Sequence, residues 1–232
     1  MRGRILLGKD EIMNIFCGVL CLALVTILSA CGKKPDAKLA QAYFKMAFYD
    51  LGDQGKGSGA YHDALKHINQ ALALAQRPEF YALKATTLLH LGHLDESAAC
   101  FNQAFARQGD EELRAQISNN YACLLAQKGQ LEQARALWLA LTADPAYSTP
   151  EVAWVNLGRV YLDQGQAPLA AEAFKTAAML APNYLDAHFY CALAARDAGN
   201  EALARSQLDA VLSLEPDHLP ARALAGGVSL KA

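Results

Sequence analysis

The sequence predicts an all-α protein, a right-handed α-solenoid of about five helix pairs with a C-terminal capping helix, preceded by an export signal. Three observations support this. The 232 residues are 53% hydrophobic and 19% charged, with only 16 glycines and 8 prolines, which is typical of a folded, helix-rich body. Apolar residues recur at helical spacing in units of about 34 residues. Near the N-terminus, an uncharged apolar stretch ends at a cysteine.

Residues 12–30 carry no charge, and the centre of this stretch, IFCGVLCLALVTIL, has the length of a signal-peptide core and is short for a membrane span. We therefore predict that residues 1–30 are a signal peptide and residues 31–38 a linker. Translation from Met1 or from Met13 would give the same mature protein.

The order Leu28-Ser29-Ala30-Cys31 resembles a bacterial lipoprotein signal, in which the cysteine becomes the acylated first residue of the mature chain. The resemblance implies that Cys31 carries fatty acyl chains such as palmitate and tethers the protein to a membrane. Gly32 is then compatible with transport to the outer membrane, where the protein would face the periplasm. An uncleaved signal anchor, or a chance cysteine after an ordinary signal peptide, are the alternatives.

The repeat is clearest in residues 153–183. There, eight residues occupy positions 4, 7, 8, 11, 20, 24, 27 and 32 of a 34-residue unit, the positions of the tetratricopeptide repeat. The first four form one stripe on a first helix, and the next three form a stripe on a second helix, so that two short helices cover each other's apolar faces. These predicted packing residues are Trp154, Leu157, Gly158, Tyr161, Ala170, Phe174, Ala177 and Pro182.

The same frame extends in both directions and predicts a solenoid over residues 39–218. Its repeats span residues 39–77, 78–111, 115–148, 151–184 and 185–218, and residues 219–232 form the cap. The first repeat is degenerate and contains the glycine-rich run GDQGKGSG. Such a solenoid is one elongated domain in which each repeat contacts its neighbours.

The sequence lacks motifs of known enzyme chemistry. We find no phosphate-binding loop, HExxH, CxxC or Gly-x-Ser-x-Gly, and predict no enzyme activity, metal, cofactor or small-molecule substrate. The net charge of -2 argues against a nucleic-acid partner. His90 and His93 are three residues apart and could meet, but Leu91 and Gly92 between them belong to an inter-helix turn, which favours solvated side chains over a metal site. Cys100, Cys123 and Cys191 are expected to be small buried or half-buried thiols, with a Cys100–Cys123 disulfide as the alternative.

A protein partner is therefore expected on the surface of the solenoid. Positions 2, 5, 9 and 12 of each repeat form a second stripe on the first helix, which we assign to the groove. The predicted partner-binding residues are Asn119, Cys123, Val155, Arg159, Leu162, Phe189, Leu193 and Arg196. Exposure of the apolar members would leave a surface suited to a partner segment. Alternatively, tight curling of the solenoid would make these residues cover one another.

The acylation signal, the repeats, and the runs NNYACLLAQKGQLEQARALWLAL and WVNLGRVYLDQGQAPLAAEAFKTAAML together resemble the pilotin lipoproteins of type IV pili. This resemblance implies an outer-membrane scaffold that binds a secretin subunit and promotes its assembly. A lipoprotein adaptor for peptidoglycan enzymes or outer-membrane assembly factors is the main alternative. A companion of an envelope hydrolase, or an unrecognised activity of the chain itself, is a third.

Overall fold

The computed structural model describes residues 36–52 and 57–226, and these residues form eleven α-helices and no strand. The predicted signal peptide and Cys31 lie outside the described residues. The helices are α1 (Ala37–Gly52), α2 (Ser58–Leu74), α3 (Pro78–His90), α4 (Leu94–Phe105), α5 (Glu111–Gln127), α6 (Leu131–Thr142), α7 (Pro150–Asp163), α8 (Ala167–Leu180), α9 (Leu185–Asp197), α10 (Glu201–Leu214) and α11 (Leu219–Ala225).

Helices α1 to α10 form five consecutive helix pairs, and α11 covers the end of the last pair. Each helix packs mainly against the helices before and after it in the chain, as in a solenoid of repeats. The predicted fold class is confirmed in the part of the chain that the structure describes. The degenerate first repeat still forms a regular pair, α1 and α2.

A glycine closes the turn inside each of pairs two to five. It has a positive φ of 70–78°, a conformation that costs glycine little and other residues much more. The amide of the following residue donates to a carbonyl five residues earlier, at 2.8–2.9 Å, which completes the C-terminal cap of the first helix. These glycines are Gly92, Gly129, Gly165 and Gly199. They therefore fix the hairpin geometry repeat by repeat.

The core is divided into five apolar clusters that follow one another along the solenoid. Each cluster contains residues of one pair together with residues of the next element, so that neighbouring repeats share their cores. Alanine supplies more than half of the buried apolar side chains. Small side chains at the interfaces allow the helices to approach closely. The folded state is therefore stabilised by many close contacts between helices.

The predicted packing residues of the fourth pair lie mostly inside. Leu157, Ala170, Phe174 and Ala177 are fully buried, and Gly158 is also buried, against the ring of Phe174. Trp154 and Tyr161 are partly buried against two adjacent clusters. Pro182 differs, because it is exposed in the turn after α8. It follows the end of this helix and takes no part in packing.

Candidate functional site

A groove runs along the first helices of the first four pairs and contains two adjoining cavities. The central cavity, of about 490 Å³, lies among α3, α5 and α7, with contributions from α6. The N-terminal cavity, of about 460 Å³, lies among α1, α3 and α5. Thr86 and Asn120 line both, so the two cavities are parts of one surface, which we call the groove.

The central cavity has many polar side chains in its wall and is rich in amides. Its polar lining consists of Thr86, His90, Asn120, Gln127, Asn156, Arg159 and Asp163. Amide side chains both donate and accept hydrogen bonds, and can therefore satisfy the peptide groups of a bound polypeptide. Of the predicted groove residues, Cys123 and Arg159 line this cavity.

The N-terminal cavity is mainly apolar and is formed partly by the degenerate first repeat. Phe44 stacks on Phe80 with ring centroids 4.7 Å apart, and Phe48 contacts Phe44 edge to face at 5.2 Å. Phe48 remains 56% exposed at the cavity wall. The repeat frame missed these two aromatic residues, because the first repeat departs from the pattern.

One position of the predicted groove stripe differs from the structure: position 6 of the repeat lines the groove where position 5 was predicted to do so. In the third and fourth repeats, the residue at position 5 is buried: Asn119 is 8% and Val155 1% exposed. Position 6 lines the central cavity instead, through Asn120 and Asn156. The expected exposure of Val155 is thus corrected, because Val155 belongs to the core cluster shared with the next repeat. Positions 6, 9 and 13 also form a helical stripe, so spacing could not distinguish the two.

Asn119 lies beneath the central cavity and organises its wall. Its Oδ1 accepts hydrogen bonds from the indole nitrogen of Trp138 at 3.0 Å and from Nδ2 of Asn156 at 3.2 Å. Its own Nδ2 donates to Asn120 Oδ1 at 3.3 Å. The side chain thus satisfies the buried indole donor and orients the two amides that line the cavity.

Arg159 provides a cationic group at the C-terminal side of the central cavity. Its guanidinium carbon lies 5.1 Å from the ring centroid of Tyr190, and Nη2 lies 3.7 Å from Asp186 Oδ2. The side chain is 47% exposed, so a partner can still reach it. Both contacts are with α9, and they hold the arginine in place without neutralising it completely.

The other predicted groove residues lie further along the solenoid. Leu162 is partly buried in the cluster that joins α7 to α10. Phe189 and Leu193 pack on the cluster that α11 completes, and the Phe189 ring lies 5.0 Å from that of His218. Arg196 lines a separate cavity of about 300 Å³ between α9, α10 and α11. The structure does not bring these four residues together with Cys123 in the central cavity.

The cysteines in the described part of the chain, Cys100, Cys123 and Cys191, are free thiols. Burial raises the pKa of Cys123 and of Cys191 to about 11, and it also raises the pKa of Cys100. For Cys123, the nearby Arg159 opposes this effect only in part. These thiols have little nucleophilic character near neutral pH.

His90 and His93 make separate local contacts. Nδ1 of His90 lies 2.8 Å from the Thr86 carbonyl oxygen, and Nδ1 of His93 lies 2.9 Å from Glu96 Oε1. No group of three or more metal-binding side chains is present within residues 36–52 and 57–226. Within the same ranges, no helix combines the length and apolarity needed to cross a bilayer.

Comparison with known families identifies the repeat. A family described as "Tetratricopeptide repeat" matches residues 82–148 and 155–218, which together make up more than half of the chain. No curated protein matches the sequence.

Solved structures share the fold over most of the chain. The structure of PilW, described as a widely conserved type IV pilus biogenesis factor, is 25% identical with a TM-score of 0.66, over 82% of this chain and 87% of that one. PilF of Pseudomonas aeruginosa is 19% identical with a TM-score of 0.67, over 82% and 86%. YrrB, described as having an unusual peptide-binding site, is 16% identical with a TM-score of 0.54, over 79% and 90%.

Proposed function

This chain belongs to the tetratricopeptide repeat family, and we propose that it is an outer-membrane lipoprotein that binds a secretin subunit and promotes its assembly in type IV pilus biogenesis. Members of this family are typically non-catalytic scaffolds for protein interaction. The proposed action is therefore binding, escort and assembly, with no covalent step.

The groove is the observation that carries this proposal. Its apolar N-terminal cavity can take side chains of a partner segment, and its amide-rich central cavity can satisfy that segment's peptide groups. Arg159 adds one accessible positive charge. The structural likeness to PilW, a type IV pilus biogenesis factor, supports the choice of pilus biogenesis as the process for this proposal.

The proposed acyl anchor at Cys31 would keep the partner-binding solenoid at the membrane. A solenoid tethered to the inner leaflet of the outer membrane would hold the bound subunit next to the membrane in which the ring forms. The linker after Cys31 is short, so the groove would stay near the lipid surface.

The test compares deletion and complementation in the producing organism. We expect that loss of the gene removes secretin multimers and twitching motility, and that the wild-type chain restores both. Phe48→Glu and Arg159→Glu alter accessible groove residues and should fail to restore multimers. Leu169→Glu is the matched control and should restore multimers. Leu169 is 53% exposed on α8, the second helix of the fourth pair, and it lines neither cavity.

Three results would contradict the proposal. Normal secretin multimers in the deletion strain would show that the protein is not needed for their assembly. Groove variants that fold and fractionate normally and restore multimers fully would place binding elsewhere. If affinity purification instead recovers peptidoglycan enzymes through the groove, the adaptor alternative replaces the secretin proposal.

A further inference from the structure

Helix α1 has three distinct sides, two of which contact other helices in the part of the chain that the structure describes. Tyr43 stacks with His67 of α2 at a centroid distance of 6.3 Å, and Asp50 contacts the same histidine through Oδ2, 2.7 Å from Nδ1. Phe44 packs on Phe80 of α3. These contacts define the side facing α2 and the side facing the groove.

The third side is the outer end face of the solenoid, and it is apolar and basic. Leu39, Met46 and Tyr49 are 42%, 46% and 79% exposed. Lys38 and Lys45 are exposed along one edge of this stripe. At about 100° per residue, all five fall within an arc of about 120° that is opposite the core. We call these five residues the α1 outer face.

This composition is unusual for the end of a repeat array, where an outward-facing helix is expected to be polar. A stripe of large apolar side chains bordered by lysines is instead the pattern of a helix that lies at a membrane interface. Residues 31–49 contain four lysines and one aspartate, a local charge of +3 in a chain of net charge -2. That aspartate, Asp36, is engaged with the backbone amides of Lys38 and Leu39, at 3.0 and 3.1 Å.

Chain length restricts what can cover this face. Ala37, the first residue of α1, is six residues after Cys31. Six residues span at most about 20 Å when fully extended. With an acyl group on Cys31, the start of α1 therefore cannot move further than this from the lipid surface. The membrane is then always within reach of the outer face.

We propose that the α1 outer face lies on the surface of an anionic phospholipid bilayer, with Leu39, Met46 and Tyr49 at the headgroup level and Lys38 and Lys45 near lipid phosphates. This inference rests on the proposed attachment through Cys31. It also orients the molecule, because Phe44 and Phe48 are on another side of α1. The groove then extends from the membrane-facing end of the solenoid into the periplasm, where a partner can reach it.

The experiment uses the purified full-length lipidated protein in vesicles of phosphatidylcholine, with and without phosphatidylglycerol. Tyr49→Trp reports on the outer face, and Met179→Trp is the control, because Met179 is 73% exposed on α8. Emission is compared with that of the wild type, in which Trp138 is buried and Trp154 is partly buried. In vesicles with phosphatidylglycerol, we expect brominated lipids to quench Tyr49→Trp several-fold more strongly than Met179→Trp.

Two lysine variants test the electrostatic part. Lys38→Gln and Lys45→Gln should each lower the equilibrium constant for the lipid contact about fivefold, and the effect should diminish at high salt. Their retention on vesicles should not change, because the acyl group supplies it. Equal quenching of the two tryptophan variants, or no dependence on the lysines, would overturn the inference.

Flotation separates this inference from the anchor. If the wild-type protein does not float with vesicles, attachment through Cys31 is wrong, and the inference fails with it. If the protein floats but Tyr49→Trp is not quenched, the anchor stands and the inference fails. Blue-shifted but unquenched emission together with a dimer in detergent would assign the outer face to a second copy of the chain, which also overturns the inference.

Discussion

Gly158→Ala should destabilise the protein, although alanine is the better helix former. A Cβ built on Gly158 would lie 2.7 Å from Cε1 and Cζ and 2.8 Å from Cε2 of Phe174, whereas carbon atoms in contact prefer about 3.5–4.0 Å. Phe174 is fully buried and cannot swing into solvent. Helices α7 and α8 must therefore separate locally, which removes contacts along the pair.

The magnitude follows from two opposing effects. Overpacking of a tight core costs about 1–3 kcal/mol, with the upper half of this range expected because three ring atoms clash. The higher helix propensity of alanine returns about 1 kcal/mol. The net loss in unfolding free energy is then about 1–2 kcal/mol, a fall in melting temperature of about 2–8 °C.

Urea and thermal unfolding followed by circular dichroism provide the assay. Gly59→Ala is the matched control, because Gly59 is also helical but a Cβ added there would meet no atom of the described residues within 4 Å. This variant should be neutral or slightly stabilised. Gly158→Ala combined with Phe174→Leu should lose less stability than the two single variants together. A Gly158→Ala protein as stable as the wild type would refute the close-approach argument.

Two further predictions concern buried polar groups. Asn119→Ala should lower the unfolding free energy by about 1–3 kcal/mol, because the indole donor of Trp138 loses its acceptor, and a double-mutant cycle with Trp138→Phe in urea unfolding should show coupling; additive losses would contradict this. Burial raises the pKa of Cys123 and Cys191 from 9.0 to about 11, so the native state disfavours their thiolates. The unfolding free energy should therefore be constant with respect to these two groups below pH 9 and should fall as the pH rises towards 11. Replacing both with alanine should reduce this alkaline loss in urea midpoints measured against pH, and an unchanged pH profile would show that other groups cause it.

The groove illustrates how far sequence reasoning extends. Cys123 and Arg159 line the central cavity, and their assignment to a partner-binding surface stays a prediction. Both occupy position 9, which lies near the centre of either stripe compatible with the helical period. Positions 5 and 6 are adjacent in sequence but separated by about 100° around the helix. Which of them faces the groove depends on how the next repeat packs, and this explains why Val155 is buried while Asn156 lines the cavity.

In the first repeat, the groove residues could not be predicted from the repeat pattern. Its contribution to the groove comes from Phe44 and Phe48, which match no repeat position that the pattern recognises. Their role depends on α1 lying beside α3, a relation between residues far apart in the chain. No local periodicity encodes the resulting apolar cavity.

By itself, the sequence determined the repeat period and the positions of the helices and turns. The apolar stripes specify the helices, and a glycine after the first helix of pairs two to five specifies the turn; both are local features of the sequence. Tertiary structure decided which stripe is covered by the next repeat, which aromatic residues meet across the groove, and which face of α1 packs against no other described helix. The reason is physical: helix formation and turn geometry depend on residues close in sequence, whereas burial depends on the angle and distance at which successive hairpins stack.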